Sequence, residues 1–310
     1  MSDPVVPTIA TPQNVYRGTS NIALPAEVSQ EIWAAVVEES VFMRLAQRIE
    51  LPGTGTTIQT ITGEPSADWV SETAAKPVSA HTFGKKAVTP YTLAVIELFS
   101  VQFMRDKEAL YRECVRRLPG AIAAKYDSTI MGTSAPGTGF DVLGSATAVS
   151  LNPGSGSTVY DQFVTVDGNI AAAGGIMNGI VVAPQGKSKL LGAVDANKRP
   201  LFTAGVDSST LSPILGAETL VSKHVYKAGT AGSPGTPAVV GIAGDFSDAR
   251  YGIVDGINIA ISDDATLVTT SGVISTFQQN MVAVRVEAEL AFVVKSASEF
   301  NLLTGDVPSA

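Results

Sequence analysis

His81, His224, Cys114, Ser134, Ser155 and the acid pair Asp263-Asp264 are the side chains of this 310-residue chain best suited to acid–base, nucleophilic or metal chemistry. Their spacing supports none of it. The two histidines stand far apart, and neither falls in a metal-ligand spacing, so both read as surface or interface residues. Ser134 and Ser155 lie in glycine-rich turns but not in the Gly-x-Ser-x-Gly elbow that presents a nucleophile. The glycine-rich stretches lack the Gly-Lys-Ser/Thr ending of a phosphate loop, and no strand–GxGxxG–helix unit occurs. Asp263-Asp264 offers oxygen to a cation, yet reads better as an exposed turn. A single cysteine excludes an intramolecular disulfide and a Cys-x-x-Cys site. The expectation is therefore no catalytic residue, no metal and no cofactor. A hydrolase whose triad is assembled from distant residues is the remote alternative.

Composition narrows the classes further. Hydrophobic residues make up 45% of the chain, enough for a sizeable core. Charged residues make up 16%, against roughly 25% in ordinary soluble domains, which suggests surface covered by partners. The net charge of −8 argues against a protein that grips nucleic acid, which needs a basic patch to displace counterions. The nearest approach, Arg112-Glu113-Cys114-Val115-Arg116-Arg117, sits on an expected helix and reads as a solvated face or a set of subunit salt bridges. No apolar run reaches the roughly 18 residues of a membrane helix, and the first residues lack the basic end and apolar centre of a signal peptide. One cysteine fits a reducing cytoplasm.

The elements that would position these residues follow from periodicity. Residues 1–24 are rich in Pro, Thr, Ser and Asn without a period, and read as an arm that orders only against a partner. Pro25 opens an expected helix over 25–50, with Val28, Ile32, Val36, Leu45 and Ile49 at helical spacing, ended by Pro52-Gly53. Residues 54–62 alternate as a strand. A polar stretch over 63–86 leads into a second strand at 87–99. Two strands around a long polar stretch predict a protruding hairpin, which is marginal alone and so should lie on a neighbouring subunit. Asp106 reads as the N-cap of a long helix ending near Gly132, with Leu110, Cys114, Leu118, Ile122, Tyr126 and Ile130 as its apolar stripe. Pro119-Gly120 within it predicts a kink or a break. Beyond lie helices at 159–173 and 188–194, a flexible loop at 228–238, and strands at 180–183, 238–242, 251–254, 257–262 and 281–288. The class is α+β.

The segment 64–106, EPSADWVSETAAKPVSAHTFGKKAVTPYTLAVIELFSVQFMRD, resembles the extended loop and following strand of the HK97-type major capsid proteins of tailed bacteriophages. Further stations follow in the same order. LPAEVSQEIWAAVVEESVFMRLAQRI is similar to the helix after the N-terminal arm, and the 106–132 helix to the spine helix. NGIVVAPQGKSKLLGAVDANKRPLF is similar to part of the axial domain. AGDFSDARYGIVDGINIAIS and FQQNMVAVRVEAELAFVV are similar to the returning strands of the peripheral domain.

The resemblance implies an N-terminal arm (1–24), an N-terminal helix (25–50) and an extended hairpin loop (51–88). It implies a peripheral domain with the spine helix (89–135 and 245–290) and an axial domain (136–244 and 291–310). Trp69, Glu72, Lys76 and Phe83 would make the loop's contacts with a neighbour. Pro119 and Gly120 would pre-bend the spine. The implied function is self-assembly into hexamers and pentamers of an icosahedral head around double-stranded DNA, in the virion, after assembly in the host bacterial cytoplasm. The DNA would be enclosed without sequence-specific binding, since an acidic wall lets it slide. Portal and decoration proteins are implied partners. With about 24 residues before the core, the family's long scaffolding segment is missing, which implies a separate scaffolding protein, none at all, or a processed product. An encapsulin-like compartment shares the same fold and is the nearest alternative. Some members of the family join subunits by a lysine–asparagine bond promoted by a glutamate. Lys76, Asn280 and Glu287 stand at the matching places, and the same residues read equally as a salt bridge and an ordinary strand carboxylate.

Overall fold

The structure is a computed structural model that describes residue 36 and residues 40–306, apart from 64, 73–74, 77, 107, 153–156, 195–196, 203–212, 232–234 and 270–271. The expected arm (1–24) and most of the expected 25–50 helix lie outside the described residues. What is described of that helix differs from expectation. Ser40 has extended backbone and caps a short helix α1 (Val41–Leu45), accepting a hydrogen bond from the Met43 N–H. The chain then extends into β1 (Gln47–Glu50). The helical spacing misleads here because β1 finds a parallel partner far along the chain. Leu51 then fills the space over Gly252, where an added Cβ would come 2.1 Å from Leu51 Cδ1.

Strands β2 (Thr56–Gly63) and β3 (Thr82–Val88) pair antiparallel as a separate two-stranded sheet. The second hairpin strand is thus 82–88, where a single run over 87–99 was expected. Thr89-Pro90 interrupts the run: Pro90 has no N–H to give a ladder, and the Thr89 N–H is taken by the carbonyl of Gly139. Beyond the break, β4 (Tyr91–Ser100) joins a different sheet.

That sheet has the order β1-β9-β12-β4, with β9 spanning Ala249–Ser262 and β12 spanning Met281–Val294. The two runs expected at 251–254 and 257–262 are one strand, with a register irregularity against β12 between Ala288 and Leu290. β12 continues four residues past the expected division at 290/291, because its second face becomes buried there: Ala291 and Val293 pack with Leu51 and Val88. Its other face presents Val284, Val286, Ala288, Leu290 and Phe292 to the main core.

Helix α2 (Val101–Asp106) follows β4 directly, with the Phe103 N–H bonded to the Ser100 hydroxyl. Helical structure therefore begins before Asp106, the expected cap. Helix α3 (Glu108–Ile130) runs unbroken through Pro119 and Gly120. Its described apolar stripe, Leu118, Ile122, Tyr126 and Ile130, is buried against the β12 face, and burial of that order offsets the roughly 3 kcal/mol cost of an internal proline.

A five-stranded sheet has the order β5-β13-β8-β6-β7, from β5 (Thr147–Ser150), β6 (Gly179–Val182), β7 (Glu218–Val221), β8 (Val239–Gly244) and β13 (Phe300–Thr304). Helix α4 (Val159–Ala172) covers it with Val159, Phe163, Val166 and Ile170, and starts in a capping box between Thr158 and Asp161. Those hydrogen bonds from the Thr158 backbone and hydroxyl hold the Asp161 carboxyl below its usual range. Helix α5 spans Pro184–Leu191, earlier than the expected 188–194, because Pro184 is preset for the first helical turn. In the expected 228–238 loop, Thr230 and Thr236 form an isolated antiparallel bridge, as Lys227 and Val239 do beside it. A run of aromatic contacts, Phe292–Phe42, Phe42–Phe246 and Phe246–Phe300, at 5.9, 6.2 and 5.2 Å, ties the two large sheets into one core.

Candidate assembly surfaces

The β2–β3 hairpin is fixed at its root and carries exposed side chains on its loop. At the root, Lys86 Nζ lies 2.5 Å from Asp141 Oδ2 and donates to the Val294 carbonyl. The same carboxylate oxygen accepts the Val294 N–H at 2.8 Å. Tyr91 donates its hydroxyl to the Thr138 carbonyl at 2.8 Å. Gly137 makes room for the Tyr91 hydroxyl, and Gly139, with φ +83°, for Thr89, whose Oγ1 would lie 2.6 Å from an added Cβ. The hairpin is therefore aimed by charged and backbone bonds to the main sheet, while Trp69 and Val78 on its loop stand in water.

The loop between β2 and β3 carries the residues expected to touch a neighbour. Trp69 is 105% exposed and Val78 98%, with Phe83 on β3 at 69%. Glu72 and Lys76 are exposed on the same loop. Large apolar side chains this exposed make the loop a candidate contact surface.

The expected crosslink residues do not converge within one subunit. Asn280 has left-handed backbone (φ 55°, ψ 49°), ends a short helix α6 (Thr276–Gln279), and gives its carbonyl to the Val101 N–H. Glu287 lies in β12, where its Oε1 accepts from Asn258 Nδ2 and Arg285, each at 3.1 Å. Seven residues of extended strand separate Asn280 from Glu287 by about 23 Å at roughly 3.3 Å per residue. Within one subunit Asn280 and Glu287 therefore stand far apart. A bond of this kind would need the glutamate of another copy.

The residues that opened the sequence reading are dispersed as well. His81 stands on the hairpin loop beside Phe83, and His224 in a turn over Lys223–Val225 capped by Ser222. Asp264 accepts from the Ser262 hydroxyl, in an exposed turn. Among the described residues no cluster of three His, Cys, Asp or Glu could hold a metal.

One surface was missed. Strands β10 (Thr266–Thr269) and β11 (Gly272–Ser275) form an isolated ribbon in which Val268 and Val273 face each other, 84% and 66% exposed, with Phe277 nearby at 80%. The legible signal was two β-branched runs around Ser271-Gly272. Thr276 anchors the ribbon, donating its hydroxyl to the carbonyls of Asp263 and Ala265.

Buried polar groups connect the elements behind these surfaces. Asp127 accepts from the Ser40 hydroxyl at 2.6 Å and the Val41 N–H at 3.2 Å, joining α1 to α3. Burial, then the neighbouring Asp127 carboxylate, pushes the Tyr126 hydroxyl well above its usual range, and it donates to the Ala291 carbonyl. At Asp245 burial opposes ionisation, but bonds from Ser247, Ile176 and Asn178 outweigh it and lower its pKa. Burial raises Glu299, which Lys295 opposes and Asp248 and Asp245 reinforce.

The structure combines a two-sheet core with a long helix, a projecting hairpin and a ribbon. A solved structure from Mycobacterium phage Adephagia has this fold, with a TM-score of 0.70 at 21% identity over 87% of this chain and 91% of that one. A capsid of an empty GTA particle does too, with a TM-score of 0.62 at 13% identity over 88% of this chain and 90% of that one. In sequence, the chain is 31% identical to the probable major capsid protein gp17 of Mycobacterium phage D29, over 92% of this chain and 90% of that protein. The corresponding protein of Mycobacterium phage L5 is also 31% identical, over 91% and 89%. The phage capsid family model matches residues 21–305. The chain belongs to the phage capsid family: it is a structural protein, part of the virion.

Proposed function

We propose that this chain is the major capsid protein of a tailed phage, and that its copies form the hexamers and pentamers of an icosahedral head around double-stranded DNA. The observation that carries this is the hairpin: its root is locked by Lys86, Asp141 and Val294, while Trp69 and Val78 stand fully in water. A neighbouring copy is the partner that a shell supplies. The four-stranded sheet with α3 serves as the peripheral domain and the five-stranded sheet as the axial domain around the symmetry axes. Pro119 lets the spine helix bend. Assembly takes place in the host bacterial cytoplasm, with scaffolding, portal and decoration proteins as partners. The relatives are phage proteins, which favours a head over a cellular compartment. Electron microscopy of the protein expressed alone tests the reading. Closed shells, or five-fold and six-fold rings, are expected. Monomers at high concentration, persisting after co-expression with a scaffolding protein from the same phage, would overturn it.

A further inference from the structure

A cleft of about 510 Å³ opens between the hairpin root and the ends of β9 and β12. Ile58 supplies apolar wall, and His81, Lys86, Arg250, Lys295 and Asp248 supply the charged groups. Three permanent cations and a histidine thus meet two carboxylates, Asp248 in the lining and Asp141 beside Lys86, on a chain whose net charge is −8. Two of the cations are matched internally. Lys86 pairs with Asp141 at 2.5 Å and Lys295 with Asp248 at 3.1 Å. Arg250 is different. It is partly buried on β9, and among the described residues its guanidinium has no hydrogen-bond or ion-pair partner.

A guanidinium offers five N–H donors in a planar fork that matches a carboxylate. Left beside two ammonium groups in a cleft, it repels them, and an incoming carboxylate relieves that repulsion. We propose that this cleft receives a carboxylate side chain from a second copy of the chain, gripped by Arg250 with Lys86 and Lys295 flanking it. The inference rests on the shell reading above, which brings copies into contact. Charge complementarity selects the occupant: each copy exposes Asp68, Glu72, Asp167 and Asp263, and the cleft is a positive island on an acidic molecule. Duplex DNA fits poorly, because phosphate binding uses an extended basic stripe rather than one recess.

The test uses shells assembled from a mixture of natural-abundance and ¹⁵N-labelled subunits, treated with a water-soluble carbodiimide. The reagent activates a carboxylate, and a lysine amine in contact then forms an amide with net loss of water. Mixed-isotope peptide pairs joining Lys86 or Lys295 to an Asp or Glu of another copy are expected, and Arg250→Gln should reduce their yield at least tenfold. Arg250→Gln should not lower the melting temperature of the free subunit, since the guanidinium bonds to no described residue there and its loss relieves repulsion. Shells that yield only the same-chain pairs Lys86–Asp141 and Lys295–Asp248 would overturn the proposal. So would mixed pairs that persist undiminished in Arg250→Gln, or mixed pairs that form in empty shells and are lost when DNA fills the shell. A protein that makes no shells overturns the assembly reading itself, and is told apart from these results by microscopy of the untreated sample.

Discussion

Trp69→Ala isolates the hairpin's contribution to assembly from its contribution to folding. Trp69 is 105% exposed, so its indole stabilises nothing within its own subunit. If a neighbour covers it, roughly 150–250 Å² of mostly apolar surface leaves water. At about 25 cal/mol per Å² that is worth about 4–6 kcal/mol. Ordering the side chain and its loop takes back about 1–2 kcal/mol, leaving about 3 kcal/mol, in the range of an interface hot spot. Each copy contributes one such loop, so the loss is felt once per subunit added to the shell. At 1.4 kcal/mol per tenfold, the critical concentration for assembly should rise about 100-fold. Light scattering against protein concentration gives that threshold, and thermal melting of the dilute subunit gives the control. The expected pair of results is a large rise in threshold with an unchanged melting temperature. An unchanged threshold would refute the reasoning, and a lowered melting temperature would show that the indole packs within its own subunit.

The other predictions concern the interior and the crosslink. Asp127→Ala leaves the Ser40 hydroxyl and the Val41 N–H without their buried acceptor, at about 1–3 kcal/mol for each orphaned group; a melting temperature within a degree of the parent would contradict this. Glu299 is buried and its pKa is raised, so the folded state holds its proton more tightly than the unfolded chain does. Its contribution is present in full below the ordinary glutamate range and is lost as pH rises through the raised value. Glu299→Gln should therefore melt higher than the parent at neutral pH, and the gap should close near pH 4; an equal gap at both would rule out the titration. Asp245 has the opposite sign: its lowered pKa adds stability above the ordinary aspartate range that disappears in acid, and Asp245→Asn should flatten that acid limb in denaturation curves. A bond at Asn280 needs the Glu287 of another copy, and that carboxylate is engaged by Arg285 and Asn258, so mature shells boiled in detergent should run as a single monomer band. A ladder that vanishes in Lys76→Ala would establish the bond.

Much of the fold was legible because local periodicity and tertiary burial agree there. The stripe from Leu118 to Ile130 reads as one helix face and lies buried on β12. The alternation in β12 likewise matches a strand with one face in the core. Errors fell where a distant partner overrides the local pattern. Gln47–Glu50 keeps helical spacing yet becomes a strand, because β9 offers it a ladder and Gly252 leaves room for the adjoining Leu51. The hairpin's second strand was placed late because Thr82–Lys86 is polar and exposed, and only its pairing with β2 defines it.

The sequence by itself determined the class: no chemistry-bearing spacing, an acidic chain poor in charge, and the ordered series of segments that resemble a capsid subunit. All of these are properties of residue type and order. Only the tertiary structure decided which surfaces stand ready for a partner. The Val268–Val273 ribbon and Arg250, which has no partner among the described residues, are ordinary residues in the sequence, and Trp69, implied as a contact by resemblance, gains its full exposure only in the fold. They become informative because exposure and lack of a partner depend on where the rest of the chain is, and folding brings residues far apart in sequence to the same cleft or leaves them alone in water.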